Sequence, residues 1–188
     1  MQFNEVFTKE RYEDHQRWLY THCKEGKQLD LSSADLTGAD LSGADLRVVI
    51  FEYTNLSGAC MVDSDLRYAN MRNATLQGAD LTDASLAEAD LRDTNMEYVV
   101  MQYSYMEDTD LRGAVLVGAD LRGAYIDESV WPMWPGSFKI KADKHVAILL
   151  ANHFCALDCD SFMVNIFQWL LRLFAYHLHR IGNDVDKL

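Results

Sequence analysis

The chain has 188 residues, with 29 acids against 17 bases and a formal net charge of −12. A surface this acidic repels nucleic acid and anionic lipid, which disfavours direct binding to either. The length suits one domain, or one solenoid with attached ends.

The chain opens with Met1-Gln2-Phe3-Asn4-Glu5, which is polar and holds no apolar leader, so a cytoplasmic protein with reduced thiols is expected. Thr8 is placed to N-cap a helix reaching to about Cys23, with Gly26 just past its end. Tyr12, His15, Leu19 and His22 form its inner stripe, and Trp18 can lie over whatever follows. Residues 1–28 are read as this helical segment, without a catalytic role.

From residue 31 to residue 126 a large apolar side chain stands at every fifth position: Leu31, Leu36, Leu41, Leu46, Phe51 and onward to Ile126. Two places before each centre stands a small or β-branched residue, such as Ala34, Val49, Thr54 or Ser64. An α-helix would set successive centres about 140° apart, and a flat strand would flip each one to the opposite face. The period makes sense only if the chain turns once per five residues, swinging every centre toward a common axis. Residues two apart share a face, so the small residue also points inward, near the bend. A quarter turn per unit gives four sides and about twenty residues per coil, hence five coils stacked over roughly 24 Å. Three- or five-sided coils also satisfy the period. Hydrogen bonds between coils would satisfy the backbone.

Ala34-Asp35-Leu36-Thr37-Gly38, Ala39-Asp40-Leu41-Ser42-Gly43 and Ala119-Asp120-Leu121-Arg122-Gly123 resemble the A(D/N)LxG units of the pentapeptide repeat family. The resemblance implies an all-β solenoid with α-helical caps, a right-handed quadrilateral β-helix over residues 29–130. The Trp18-Leu19 helix, and Trp131-Pro132-Met133-Trp134-Pro135-Gly136-Ser137 after the last unit, are similar to flanks of phage and prophage-type members.

The repeats carry the charge: residues 29–128 hold nineteen acids and six bases, a net −13. Nine of these acids occupy the slot just before an apolar centre, where a short polar side chain can bond local backbone at a turn. The others are not demanded by the repeat. Residues twenty apart stack on neighbouring coils, so the outside can be read in columns. One column runs Val48, Tyr68, Glu88, Asp108, Glu128, and its neighbour runs Arg47, Arg67, Ala87, Glu107, Asp127. Glu88, Glu107, Asp108, Asp127 and Glu128 thus gather beside Tyr105 and Tyr125 as a candidate partner-binding patch. Tyr98, Val100 and Tyr103 also point outward where Gly and Asp are usual. The column Arg72, Arg92, Arg112 beside Asp90 and Asp110 reads as a surface salt-bridge ladder.

Open coil ends need caps. The helix at 1–28 serves one end, and residues 131–188 are read as a helical cap for the other. Within that cap a helix from about residue 161 to Arg180 is apolar almost all round, yet too short and too polar to span a bilayer. Such a helix must be buried on more than one side, which predicts a homodimer through Phe162, Ile166, Phe167, Trp169, Leu170 and Phe174. Cys155 and Cys159 stand one helical turn apart, but His153 does not join them, so they read as two thiols rather than a metal site. No phosphate loop, nucleophile motif or cofactor signature is present, and no enzyme is expected.

Two functional readings follow. The first is a non-enzymatic protein-interaction scaffold or adaptor presenting an acidic β-helix surface to a protein partner. The alternative is a DNA-mimicking regulator of a type II topoisomerase such as DNA gyrase, a role that resemblance to the family suggests.

Overall fold

The computed structural model describes residues 5–126. Residues 127–188, including Asp127, Glu128, Cys155, Cys159 and the expected dimer helix, lie outside the described residues.

Helix α1 spans Lys9–Tyr20. Thr8 holds extended backbone, and its hydroxyl accepts from the Arg11 N–H at 3.3 Å, an N-cap as expected. The helix stops three residues short of the expected Cys23. His22 takes the left-handed conformation (φ 53°), turning its N–H to Leu19 C=O and that of Cys23 to Trp18 C=O at 3.3 and 2.8 Å. That is a Schellman closure in which a histidine occupies the usual glycine position. Sequence signals that rely on glycine place the end too late for this reason.

Beyond α1 the chain pairs with itself in one register. Every bridge is parallel and joins residues twenty apart, from Asp30 with Ile50, through Asp35 with Asn55, Asp40 with Cys60 and Asp45 with Asp65, to Tyr105 with Tyr125. A bridge recurs every five residues, so each coil has four sides, and the three- and five-sided alternatives fall. We number the faces by their first centres: Leu31, Leu36, Leu41 and Leu46 for the first to the fourth. Each centre donates toward the next coil, as Leu76 N–H does to Asn95 C=O at 2.7 Å. The preceding residue donates back, as Thr75 N–H does to Thr54 C=O at 2.9 Å.

Corners are four-residue turns, closed for example by Ala79 N–H to Leu76 C=O at 3.0 Å. Their third residue lies at positive φ throughout, the conformation a type II turn requires. Glycine meets this demand at several corners, but Val48, Tyr53, Tyr68, Tyr98, Tyr103 and Asp108 meet it too. The interior is the expected one: centres from Leu31 to Ile126 are buried, with Ala, Val, Ser or Thr beside them. Buried hydroxyls are bonded; Thr54 donates to Leu31 C=O and Ser64 to Met61 C=O, both at 2.7 Å. The outward Asp or Asn before each centre accepts from backbone two residues on, as Asp80 does from Thr82 N–H at 3.0 Å and Thr82 Oγ1 at 2.6 Å.

Among the described residues no coil lies beneath the first, so its downward N–H and C=O groups need other partners. Side chains of α1 supply them on two sides. On the fourth face, Tyr12 Oη accepts from Asp45 N–H at 3.0 Å and Gln16 Nε2 donates to Asp45 C=O at 2.8 Å. His15 Nε2 meets Arg47 C=O at 3.0 Å, and its Nδ1 accepts from Leu29 N–H at 3.1 Å. On the first face, Arg11 donates to Asp30 C=O. An accepting Nδ1 must be unprotonated, so His15 is neutral with its proton on Nε2. Burial pushes its pKa below the ordinary 6.5.

Candidate functional site

The fourth face changes character along its length while its backbone does not. In the lower coils Asp45 and Arg47 flank Leu46, and Asp65 and Arg67 flank Leu66. Two residues apart on one outward surface, they meet in bidentate pairs: Arg47 Nε and Nη2 reach Asp45 at 2.8 and 2.7 Å, and Arg67 reaches Asp65 at 2.8 and 2.6 Å. Arg47 also lies 3.6 Å from Asp65, linking the coils. Burial opposes ionisation of Asp45, but the Arg47 bond and charge outweigh it and its pKa falls below the usual carboxylate value. The lower half is therefore neutralised internally.

In the upper coils the same columns become Ser85, Tyr105, Tyr125 and Ala87, Glu107. Tyr105 and Tyr125 stack with ring centroids 4.9 Å apart and planes 2° from parallel, each about half exposed. The corner column continues with Tyr68, Glu88 and Asp108, all exposed. Glu88 stands next to Tyr68 in this column, and its carboxylate raises the Tyr68 pKa. Glu88 N–H donates to Glu107 C=O at 2.9 Å, so these acids belong to adjacent coils at one corner. Among the described residues neither Glu107 nor Asp108 forms an ion pair. Glu88, Glu107, Asp108, Tyr105 and Tyr125 thus share one end of one face and its corner; Asp127 and Glu128 lie outside the described residues.

Round the next corners, Tyr98 and Tyr103 are 61% and 54% exposed, while Val100 between them is half-buried. The arginine column on the first face forms in part. Arg92 pairs with Asp90 at 2.5 Å and lies 3.5 Å from Asp110, which pairs with Arg112 at 2.6 Å. Arg72 stays outside the ladder because position 70 is Asn, and its Nε is buried without a hydrogen-bond partner. The reading by columns overlooked the spacing Asp-x-Arg within one unit, which pairs Asp45, Asp65, Asp90, Asp110 and Asp120 with the arginine two residues on. It also overlooked the glycines twenty residues after Tyr98 and Tyr103.

Exposed aromatic rings beside carboxylates that no base neutralises suit a basic, partly apolar group. Among the described residues no group of three or more His, Cys, Asp or Glu could hold a metal ion, and no helix is long and apolar enough to cross a membrane.

A family described as pentapeptide repeats matches residues 30–67, 59–97 and 91–127. Together these run from 30 to 127, or 98 of 188 residues, just over half the chain. The chain belongs to the pentapeptide repeat family, whose members form right-handed quadrilateral β-helices. Among solved structures it is similar to the pentapeptide repeat protein Rfr23 from the cyanobacterium Cyanothece 51142, at 22% identity and a TM-score of 0.46, over 62% of this chain and 85% of that one. It is similar also to QnrB1, a plasmid-mediated fluoroquinolone resistance protein, at 15% identity and 0.32, over 70% and 75% of the two chains. A third likeness is to a pentapeptide repeat protein from the Arabidopsis thaliana thylakoid lumen, at 23% identity and 0.27, over 67% and 77%. A comparison with curated proteins gives no match.

Proposed function

We propose that this protein is a non-enzymatic interaction scaffold that docks a basic segment of a partner protein on the upper half of its fourth face. Glu88, Glu107 and Asp108 supply charge, and Tyr105 and Tyr125 supply contact area. The supporting observation is the split in ion pairing along the fourth face: Asp45 and Asp65 in its lower half each have an arginine two residues on, and among the described residues Glu88, Glu107 and Asp108 in its upper half have none. Exposed charges of this kind steer encounters more than they hold complexes. A regulator imitating duplex DNA on a topoisomerase would draw on acids along the solenoid's whole length. Five of those acids, Asp45, Asp65, Asp90, Asp110 and Asp120, are engaged by arginines, which counts against that alternative.

The test is the association rate with the native partner recovered by pull-down, compared between the intact chain and a Glu88→Ser/Glu107→Ser/Asp108→Ser variant. The rate should fall with rising salt for the intact chain and lie several-fold lower for the variant. Equal rates would remove the patch. If the partner is a topoisomerase, only the intact chain should inhibit supercoiling in competition with DNA. The homodimer proposed through Phe162, Ile166, Phe167, Trp169, Leu170 and Phe174 is checked separately by sedimentation at micromolar concentration, where a monomer would end the idea.

A further inference from the structure

We infer that the docking surface continues round the corner at Tyr103 and reads arginine: Tyr98, Tyr103, Tyr105 and Tyr125 form a fixed aromatic edge that takes guanidinium groups of the partner's basic segment. The inference rests on the interaction reading above and names the chemistry that reading leaves open.

Fixation of the two corner rings is visible in the glycines one coil further on. A Cβ added at Gly118 would lie 2.5 Å from Tyr98 Cδ1 and 2.7 Å from its Cε1. One added at Gly123 would lie 2.4 and 2.5 Å from the same atoms of Tyr103. Each ring therefore lies directly against glycine backbone, in space that any other residue would fill. Tyr53 and Tyr68, at comparable corners, are followed twenty residues later by Asn73 and Glu88 and have no such shelf. Tyr105 and Tyr125 are held by stacking on one another. Aromatic side chains already fixed in the free protein lose little conformational entropy on binding, which is how interface anchors gain affinity.

The surrounding charge selects a cation. Glu107 and Asp108 flank the fourth-face rings without a base among the described residues, and exposed Asp83 precedes Tyr103 in its column. Arg122, the nearest arginine in sequence to the Gly123 shelf, is engaged with Asp120 at 2.8 and 2.7 Å. A guanidinium can lie flat on a ring while its N–H fork meets a carboxylate, whereas an ammonium is a compact, strongly hydrated charge that does the two jobs less well together.

The probes are deca-arginine and deca-lysine peptides, titrated against the full chain by fluorescence anisotropy. Deca-arginine should bind roughly tenfold more tightly. Gly118→Ala/Gly123→Ala, which displaces the two rings but leaves every acid in place, should abolish that preference. Gly58→Ala/Gly78→Ala is the control: φ is also positive there, at 64° and 65°, but nothing lies within 4 Å of the added Cβ. It should keep the preference despite similar backbone strain. Should the first variant fail to fold by circular dichroism, Tyr98→Leu/Tyr103→Leu replaces it, with the same loss of preference expected. Equal affinity of the intact chain for both peptides overturns the inference and leaves the acidic-patch reading standing. Binding of neither peptide overturns both. Loss of self-association in the ring variants, with peptide binding unchanged, assigns the surface to a second copy and overturns the inference as well.

Discussion

The two halves of the fourth face share a backbone path, an apolar core and a register, and they differ most in what projects outward. Below, Asp45, Arg47, Asp65 and Arg67 close on one another in a ladder that leaves little charge to offer. Above, a tyrosine stack and Glu107, which has no ion pair among the described residues, occupy the same columns, with Glu88 and Asp108 at the corner beside them. Folding is supplied by the inward centre and the small residue beside it, so the outward positions are free to be either inert or adhesive. A quadrilateral coil separates stability from recognition residue by residue, and the two halves can be perturbed separately.

The largest expected effect strikes both halves together. Leu76 is fully buried at the middle of the stack, and Leu76→Asp places an unpaired charge among apolar centres, a cost of several kcal/mol that should prevent folding. Circular dichroism of that variant should show no cooperative melt. A soluble protein with an unchanged spectrum and melting transition would contradict the shared-core account.

A smaller effect belongs to the lower end alone. His15→Ala deletes a buried ring bonded at both nitrogens and leaves Leu29 N–H and Arg47 C=O unsatisfied, which should cost about 2–3 kcal/mol in urea unfolding. The same group gives a pH dependence. Because the folded pKa lies below the ordinary 6.5, the unfolded chain binds the extra proton first. Stability is therefore full above about pH 6.5 and declines as pH falls below it, levelling once the folded histidine also protonates. Burial is the main cause; the Asp45 charge opposes the shift and the Arg47 charge adds to it. Asp30, Asp35, Asp45, Asp110 and Asp120 also have lowered values, and Asp40 is held at about 2 chiefly by the Ser42 hydroxyl. Their contribution is lost only below the ordinary carboxylate value of 3.8, so the decline that begins near pH 6.5 belongs to the histidine. His15→Ala should erase that earlier decline and keep the loss below 3.8.

The corner column gives a smaller change of opposite sign. Val48 is β-branched at φ 62°, where Asp108 higher in the same column takes φ 54° with a side chain that tolerates it better. Val48→Asn should relieve that strain and raise stability by about 1 kcal/mol, read as a higher thermal midpoint. A lower midpoint would mean that the packing of Val48 outweighs its backbone strain.

Much of this was legible in the residues. The centres from Leu31 to Ile126 announce the solenoid because an odd, unbroken period leaves the chain no other way to bury them. The columns, read at intervals of twenty, brought Tyr105 beside Tyr125 and Glu88 beside Asp108 before any coordinate was known. Other features escaped. Ion pairing inside a unit, Asp45 with Arg47, competes with pairing between coils, and only geometry shows that the shorter reach takes the bidentate bonds while the neighbouring coil is met at 3.6 Å. The α1 boundary was missed because His22 takes a conformation usually left to glycine. His15, Gln16 and Arg11 bond carbonyls of the first coil that are remote in sequence, so no local pattern marks them.

The most direct measurement makes the upper half resemble the lower. Tyr105→Asp together with Glu107→Arg rebuilds the Asp-x-Arg pair around Met106, as it stands around Leu46 and Leu66. Association of a deca-arginine peptide with the intact chain and with this variant, followed by stopped flow across a salt series, then reads the difference between the halves. The account predicts an unchanged fold, an association rate at least several-fold lower for the variant, and a weaker salt dependence. A variant that folds normally and binds the peptide at the same rate, with the same salt dependence, would contradict the claim that recognition resides in the upper half of the fourth face.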